Sequence, residues 1–571
     1  MKKLLCIFFV IAMPFFNGVK NTAAQSYTIG DFSKPMQLPF FLAGTFGEPR
    51  PDHFHSGIDI KTNGVEGQPV LAVADGFISR IRVSPYGYGK AIYIVHSNGY
   101  TSVYGHLSRF YGKIEQYIHK QHYTTQKSEL DIILDSTVFP LHQNDTIAFS
   151  GNTGGSSAPH LHFEIRNTQT EHALNPLDFY PKSFYVDTIA PQLNKIKLYF
   201  GDTASFYTAV SVKYPLIKQD GIYTTTTPIP KLNFPRFAIS LEGYDKQDES
   251  ENKNGINKIA LFANDSLIFQ YKLTEIDFDK TRMCNAFVDY DEMMKGNGYF
   301  YNCYQLRKNT LPFYLAGYNG MLDTHAFNFS ELKIQCIDYN SNCSTIKLSF
   351  QSIGDNISKS VADSSLKAAT TVINASNSDS FEVGKFKIKF VSNTFYDNAP
   401  LAITTIKKNP KILSDEYHVG NKNELLPLQK PATITITSTI KKQRNKIVLV
   451  RKDFNGKETA LKTTVTKYKF CASTMTLGTF YLKYDIIKPN IQKIELLPET
   501  ITANVSDNLS GVDTYNGYID NNWVNFYYDA KNDKLIYTVD EHCTKGEHLL
   551  KLIVTDKVGN ENTILQKINY P

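Results

Sequence analysis

Four short segments hold the side chains of this chain whose types and spacing suit hydrolysis at a metal. They are HFHSGIDI (53–60), VYGHLS (103–108), SGNTGGSSAP (150–159) and HLHFEIR (160–166). A catalytic zinc takes three protein ligands from His, Asp, Glu or Cys and leaves a fourth position open to water. Residues two apart on a strand share a face, so His160 and His162 project into one cleft and Glu164 continues that face. By the same rule Tyr104 and His106 share a face. Asp59 follows His55 by four residues, and Gly57 between them permits the bend that turns both side chains to one ion. Each signal is weak alone: a His-x-x-x-Asp pair arises by chance, and a lone His is more often a hydrogen-bonded structural residue than a ligand. Joined in order within Gly-rich turns, they form a coherent set.

The elements that must position them read as strands. From Gln25 to Tyr185 the runs QPVLAVADGFISRIRV, KAIYIVHSNGYTSVYGHL, DTIAFSGNTGG and HLHFEIR alternate apolar and polar residues between Gly, Asn and Asp, the mark of strands and hairpins. One segment interrupts them. YGKIEQYIHKQHYTTQKSEL, within 110–131, is polar, Lys- and Gln-rich and reads as a helical insertion beside His106, placed to act as a lid or specificity element. The excess of Tyr (35) and Phe (37) over Trp (1) favours strands throughout, so the expected class is mostly β.

Beyond Asp187 the punctuation repeats about 260 residues apart. Asp245, Asn254-Gly255-Ile256-Asn257 and Asp338-Tyr339-Asn340-Ser341-Asn342 answer to Asp507, Ser510-Gly511-Val512-Asp513 and Asp556-Lys557-Val558-Gly559-Asn560, weak internal repetition of a sandwich-type unit. Such Asp and Asn residues ordinarily satisfy turn backbone groups; calcium binding is the other reading. The expected order is a histidine-bearing β unit over 25–185, an Ig-like β-sandwich over 186–352, a Ser/Ala/Asn-rich linker over 353–380, a β-sandwich over 381–484 and a second Ig-like β-sandwich over 485–571.

The N-terminus pairs Met-Lys-Lys with LLCIFFVIAMPFF and then NTAAQ, with Thr22 and Ala24 at the −3 and −1 positions of a cleavage site. Residues 1–24 therefore read as a signal for export, and the apolar run is too short for a comfortable membrane span. Loss of Lys2, Lys3 and Lys20 would take the formal charge from +6 to +3, too mild for a nucleic-acid partner but suited to an anionic wall polymer. Export permits disulfides. Cys336–Cys343 reads as a clip across a turn with Cys284–Cys303 as the remainder; three pairings are possible, and four buried thiols are the alternative.

The stretch from Phe46 to Tyr180, through FGEPRPDHFHSGIDI, GYGKAIYIVHSNGYTSVYGHLS, SGNTGGSSAPHLHFEIR and ALNPLDF, resembles the LytM/lysostaphin-type zinc metallopeptidases of peptidoglycan. That resemblance implies a compact β domain with a narrow cleft and one zinc ion held by His55, Asp59 and His162. It implies catalytic roles for His106 and His160, which flank the activated water and the substrate carbonyl, and it leaves His53 outside the metal set. Tyr104 is expected to position one of those histidines, and Asn152, on the Gly-rich loop, to border the substrate. Glu164 reads either as an anchor behind a ligand histidine or as a surface salt bridge. His96 reads as structural, His142 as solvated, and His119 and His122 as solvated or facing the cleft. The implied function is a peptidoglycan endopeptidase acting in the periplasm, at an outer surface or outside the cell. Its competitors are a non-catalytic module that binds the wall or activates other wall hydrolases, and a surface scaffold or adhesin. The β-sandwiches are expected to engage the wall or a protein partner.

Overall fold

A computed structural model describes residues 32–201, 205–231, 236–314, 319–323, 329–352, 371–407, 409–420 and 425–570. The signal segment at 1–24 and residues 353–370 of the expected linker lie outside the described residues. Residues 371–380 carry the strand Thr371–Ile373 and the start of Asp379–Val383.

The N-terminal domain is built from β1 (Leu42–Gly44), β2 (Ile58–Lys61), β3 (Gly76–Val83), β4 (Lys90–His96), β5 (Tyr100–Leu107), α1 (Gly112–Thr125), β6 (Leu130–Ile133) and β7 (His160–Asn167). Its main sheet runs β1-β2-β7-β5-β4-β3-β6, and each neighbouring pair is antiparallel. The alternation of β7 explains its central place. Leu161, Phe163 and Ile165 are fully buried against Ile58, Ile60, Ile92 and Ile94. Each such side chain contributes roughly 1.5–3 kcal/mol on leaving water. His160, His162, Glu164 and Arg166 stand on the opposite face, over the cleft.

The expected helix forms as α1. Ile114, Ile118 and His122, four residues apart, are its buried stripe, and Glu115 accepts the Phe110 N–H at 2.7 Å. Gln126 stops it in the left-handed conformation at φ 49°.

The rest of the chain is β-rich. Residues 192–352 form a large sheet that includes β8 (Gln192–Gly201), β9 (Arg236–Tyr244), β10 (Glu331–Ile337) and β11 (Cys343–Ser352). Residues 371–484 form one six-stranded and one five-stranded sheet, and 490–570 form two four-stranded sheets that include β12 (Asn490–Leu497), β13 (Thr500–Ser506), β14 (Gly546–Asp556) and β15 (Glu561–Tyr570). The two middle regions share one continuous apolar core, whereas 490–570 has its own. That last region folds back onto the N-terminal domain. Tyr527 donates to the Ser84 carbonyl at 3.1 Å, Tyr123 of α1 donates to Asp540, and the Tyr123 ring stacks on His542 at 4.1 Å.

The expected disulfides are absent: all six described cysteines are free. Register explains Cys336 and Cys343. Cys343 pairs with Ile337, one residue past Cys336, so their side chains leave opposite faces of the β10–β11 hairpin, Cys336 buried and Cys343 exposed. No helix among the described residues is long and apolar enough to cross a membrane.

Candidate metal centre and active site

β2 and β7 are neighbours, and their register sets Asp59 opposite His162. The turn before β2 brings in His55, and Gly57 is required there by space. A Cβ at position 57 would lie 2.3 Å from the Phe163 carbonyl oxygen, closer than any side chain can tolerate. Three atoms then converge. His55 Nε2 lies 3.0 Å from Asp59 Oδ1 and 3.1 Å from His162 Nδ1, and His162 Nδ1 lies 3.0 Å from Asp59 Oδ1. All three residues are buried.

The far sides of both imidazoles are committed. His55 Nδ1 donates to the Thr45 carbonyl at 2.8 Å, and His162 Nε2 donates to Glu164 Oε1 at 2.8 Å. The inward nitrogens are therefore the ones left to face an ion, and two ring nitrogens and a carboxylate oxygen at 3.0–3.1 Å from one another call for a shared cation, a metal ion or a proton in its place. Tetrahedral ligands about 2.1 Å from a zinc ion sit roughly 3.4 Å apart, so the donor set and its spread fit that metal. Electrostatics agree. Burial alone would lower the His162 pKa, yet the Asp59 and Glu164 carboxylates push it up to about 9. Burial would raise Asp59, and the surrounding histidines hold it well below the usual carboxylate range.

Glu164 is the hub behind the cluster, fully buried rather than at the surface. It accepts from His162, from Ser56 Oγ at 2.5 Å, from the Tyr88 hydroxyl at 2.5 Å and from Arg166 Nε at 2.7 Å. Burial works against its charge; Arg166 foremost, then His162 and Ser56, hold its pKa far below normal. Ser56, Tyr88 and Arg166 were not anticipated from sequence. Ser56 was legible as the residue between His55 and Gly57, and Arg166 as the next residue of the His160–His162–Glu164 face. Tyr88, in the PYGYG turn, carried no signal of its own.

His106 and His160 border the cluster. Their ring centroids are 4.8 Å apart, and His106 lies 5.8 Å from His162. His160 Nε2 is 3.3 Å from Asp59 Oδ1, and its Nδ1 donates to the Ala158 carbonyl at 2.8 Å. His106 Nδ1 donates to the Thr153 carbonyl at 2.8 Å, which leaves Nε2 as the acceptor. Burial first, then the neighbouring histidines, lower its pKa to about 3. It is an uncharged imidazole at neutral pH.

Tyr104 does not take the expected place. Strand alternation breaks between it and His106: the β4–β5 register shifts between Lys90 and Ile92, and His106 adopts φ 60°. This bulge turns His106 into the cleft and leaves Tyr104 in the core beside Phe163, its hydroxyl accepting from Val73 N–H at 3.1 Å and Ser102 at 3.0 Å. The Asn152 side-chain oxygen has no partner, and its backbone carbonyl accepts from Lys531 of the C-terminal region, as does Ser156 O at 2.9 Å. The loop rim is thus held from the far end of the chain. Gly154, at φ 70°, lets that loop approach Gly87 and Gly89, where a Cβ would lie 2.4 Å from the Gly87 carbonyl oxygen.

The remaining histidines lie away from the cluster. His53 is exposed and bonded to the Pro51 carbonyl. His96 bridges the Asp75 carbonyl and Ser102. His142 is exposed beside Asp75. Within α1, His119 meets Asp540 at 3.3 Å and His122 bonds the Lys127 carbonyl, so neither faces the cleft.

Part of this region matches a known family. Residues 53–126 match the model of peptidase family M23, and 370–485 match that of a Zu5-like domain. The M23 segment contains His55, Asp59 and His106 and ends before His160 and His162. An uncharacterized metalloprotease of Haemophilus influenzae is 34% identical over 131 residues, 23% of this chain and 21% of its own. The DD-carboxypeptidase/endopeptidase Mpg of Neisseria meningitidis is 34% identical over 112 residues, 20% of each chain. The chain thus matches about a fifth of the length of these relatives. The catalytic domain of lysostaphin from Staphylococcus simulans aligns with 24% of this chain and 87% of its own at 26% identity, with a TM-score of 0.18, too low a score to say more about the fold. Residues 53–126 are a domain of peptidase family M23, carried by a chain that continues in further β structure.

Proposed function

We propose that this protein is an exported zinc metalloendopeptidase that hydrolyses peptide bonds in the cross-links or stem peptides of peptidoglycan. The observation that carries this reading is the meeting of His55 Nε2, Asp59 Oδ1 and His162 Nδ1 within 3.1 Å, with the outer nitrogen of each histidine already bonded. A zinc ion held there by His55, Asp59 and His162 would supply Lewis acidity to a water and to the scissile carbonyl. Glu164 fixes the ring and tautomer of His162. His106, neutral with Nε2 free to accept, takes a proton from the attacking water, and His160 steadies the charge that develops on the substrate oxygen. The relatives support the substrate class: they include lysostaphin, a glycyl-glycine endopeptidase from Staphylococcus capitis and a cell division protein, DipM, from Caulobacter vibrioides.

In this reading residues 25–185 are the peptidase unit. The β units over 186–352, 381–484 and 485–571 hold it against the wall or a protein partner, in the periplasm, at an outer surface or outside the cell. The test is incubation of the full zinc-supplemented chain with purified peptidoglycan, with released muropeptides read by mass spectrometry. Soluble fragments with newly exposed termini are expected from the wild type and none from His162→Ala. Equal release by the variant would sink the proposal, and the fragments themselves name the bond.

A further inference from the structure

Most buried carboxylates among the described residues have a cation beside them. Arg50 lies 2.8 Å from Glu48, Arg166 2.6 Å from Glu164, Lys197 2.6 Å from Asp289 and 2.9 Å from Glu292, and Arg236 3.2 Å from the fully buried Asp397. Asp59, Asp291 and Glu416 likewise have an arginine or lysine within ion-pair distance. The exceptions gather in two places. Asp187, Asp245 and Asp338 are 5%, 2% and 3% exposed; Asp485 and Asp556 are 0% and 1% exposed, with Asp507 half-buried beside them. In each trio, one oxygen per residue lies within 4.8 Å of the others. None of the six pairs with a described Lys, Arg or His. Three carboxylates held together away from water and without a counter-charge are costly. At Asp245, burial and then the charges of Asp187 and Asp338 push the carboxyl up to about 9.

Oxygens within the trios also lack donors. Asp187 Oδ2, Asp245 Oδ1, Asp485 Oδ1 and Asp507 Oδ1 accept no hydrogen bond. Asn254, 2% exposed, leaves both atoms of its amide unpartnered. Its backbone exchanges two N–H···O bonds with Asp245, each 2.9 Å, and residues so paired place their side chains on one face. Asn254 therefore shares a face with Asp245 and brings a buried, neutral and unclaimed amide oxygen beside it.

The two clusters are one construction built twice. Asp187 and Asp485 stand four residues before Pro191 and Pro489, at the entries to β8 and β12. Asp245 directly follows β9 and Asp507 directly follows β13. Asp338 and Asp556 stand at the turns of the β10–β11 and β14–β15 hairpins. An asparagine four residues on, Asn342 or Asn560, repeats one bonding pattern. Its N–H donates to the aspartate Oδ1 at 2.8 Å in both. Its Nδ2 donates to the other carboxylate oxygen, at 2.7 and 2.6 Å, and to the carbonyl of Asp187 or Asp485, at 2.9 and 3.1 Å.

We propose that each trio, Asp187–Asp245–Asp338 and Asp485–Asp507–Asp556, binds one calcium ion, and that these ions fix the two junctions at which a β unit joins the region before it. The donors are oxygens alone, with no His or Cys, which selects a hard cation, and irregular sets of carboxylate and amide oxygens suit Ca²⁺ better than the strict octahedron of Mg²⁺. Each ion would tie three segments: the entry strand, the residue after the second strand and a hairpin turn. At the first junction that turn also reaches the peptidase domain, where Tyr339 donates to Asp178 at 3.0 Å and Asn340 to the Tyr185 carbonyl at 3.0 Å.

The test uses the full chain, stripped of divalent ions by a chelator and titrated with Ca²⁺ by calorimetry. Two equivalents are expected for the wild type, one for Asp245→Asn, one for Asp507→Asn, none for the double variant and two for His55→Ala. No uptake at several millimolar Ca²⁺, above the ~10⁻³ M at which extracellular modules bind, would overturn the proposal, as would two equivalents retained by the double variant. Should a variant not fold, Tb³⁺ on the wild-type chain decides. Tyr185 sits against the first trio, so tyrosine-sensitised emission that Ca²⁺ displaces supports the assignment, and an absence of displaceable emission refutes it. Peptidoglycan release is read separately and does not enter either outcome.

Discussion

The histidine-bearing cleft and the two aspartate trios are both buried sets of donor atoms, built by opposite rules. In the cleft each inward-facing imidazole has an outer partner: Thr45 behind His55, Glu164 behind His162, and Arg166, Ser56 and Tyr88 behind Glu164. Asp59 and His162 ride on adjacent strands of one sheet and His55 on the turn that enters it, so backbone register fixes the first pair before any ion arrives. The trios have no such backing. Their carboxylates come from a domain entry, a strand exit and a hairpin turn, held by turn N–H groups, and several oxygens lack any donor. The first arrangement orients an ion for chemistry; the second lets an ion set how segments sit. A rigid support is a catalytic requirement, whereas a junction only needs an anchor that neutralises its charge.

The sharpest way to break that comparison is to damage each region and read both. His55→Ala removes a cleft ligand and, with it, several kcal/mol of transition-state stabilisation, about a thousand-fold or more in turnover. Asp245→Asn, in a trio, is expected to leave turnover within about threefold. If Asp245→Asn lost turnover as severely as His55→Ala, the regions would not be separable and the contrast would fail. Glu164→Gln comes next in size. It keeps an oxygen near His162 but leaves the buried Arg166 without its counter-charge, and partners behind a ligand are worth about 10–100-fold. Both zinc affinity and turnover should fall by that factor. A loss of turnover at unchanged zinc affinity would show that Glu164 acts on substrate rather than through His162.

The sequence made the cleft legible and the trios only half so. A His-x-His on an alternating strand and a His-x-x-x-Asp around a glycine are local patterns, and strand geometry converts them directly into positions. The helix of α1 was equally local, read from a polar, Lys- and Gln-rich run, but its buried stripe of Ile114, Ile118 and His122 was not. Tyr104 was misplaced because the alternation rule assumes an unbroken strand, and nothing in VYGHLS besides Gly105 announces the bulge at His106. The repeated aspartates were visible as punctuation, but Asp187 and Asp485 were not part of that pattern. They lie at unit entries far from the turns they meet, and only tertiary packing brings them there. The disulfide reading failed for a related reason: near neighbours in sequence can leave opposite faces of a hairpin, as Cys336 and Cys343 do.

A thermal prediction sharpens the trio side. If the ions fix junctions, Ca²⁺ at about a hundred times its dissociation constant adds about 2.7 kcal/mol to the folded state. For a unit of about 150 residues that is a rise in Tm of roughly 5–10 °C. Scanning calorimetry of the full chain should show that rise in the wild type and lose it in the Asp245→Asn, Asp507→Asn double variant. A rise that survives in the double variant would place the stabilising ion elsewhere.

The smallest expected change in turnover is at Tyr104, and it tests the bulge. On an unbroken strand its hydroxyl would lie beside His106, and Tyr104→Phe would lower turnover as the loss of any positioning group does. In the observed arrangement the hydroxyl is spent on Val73 N–H and Ser102 in the core. Removing it leaves a buried N–H unsatisfied at a cost of about 1–3 kcal/mol. Tyr104→Phe should therefore lower the Tm of the peptidase domain by a few degrees while kcat stays within about twofold of wild type. The reverse outcome, an unchanged Tm with a tenfold fall in kcat, would mean that Tyr104 and His106 share a face after all and that the bulge at His106 is not the working conformation.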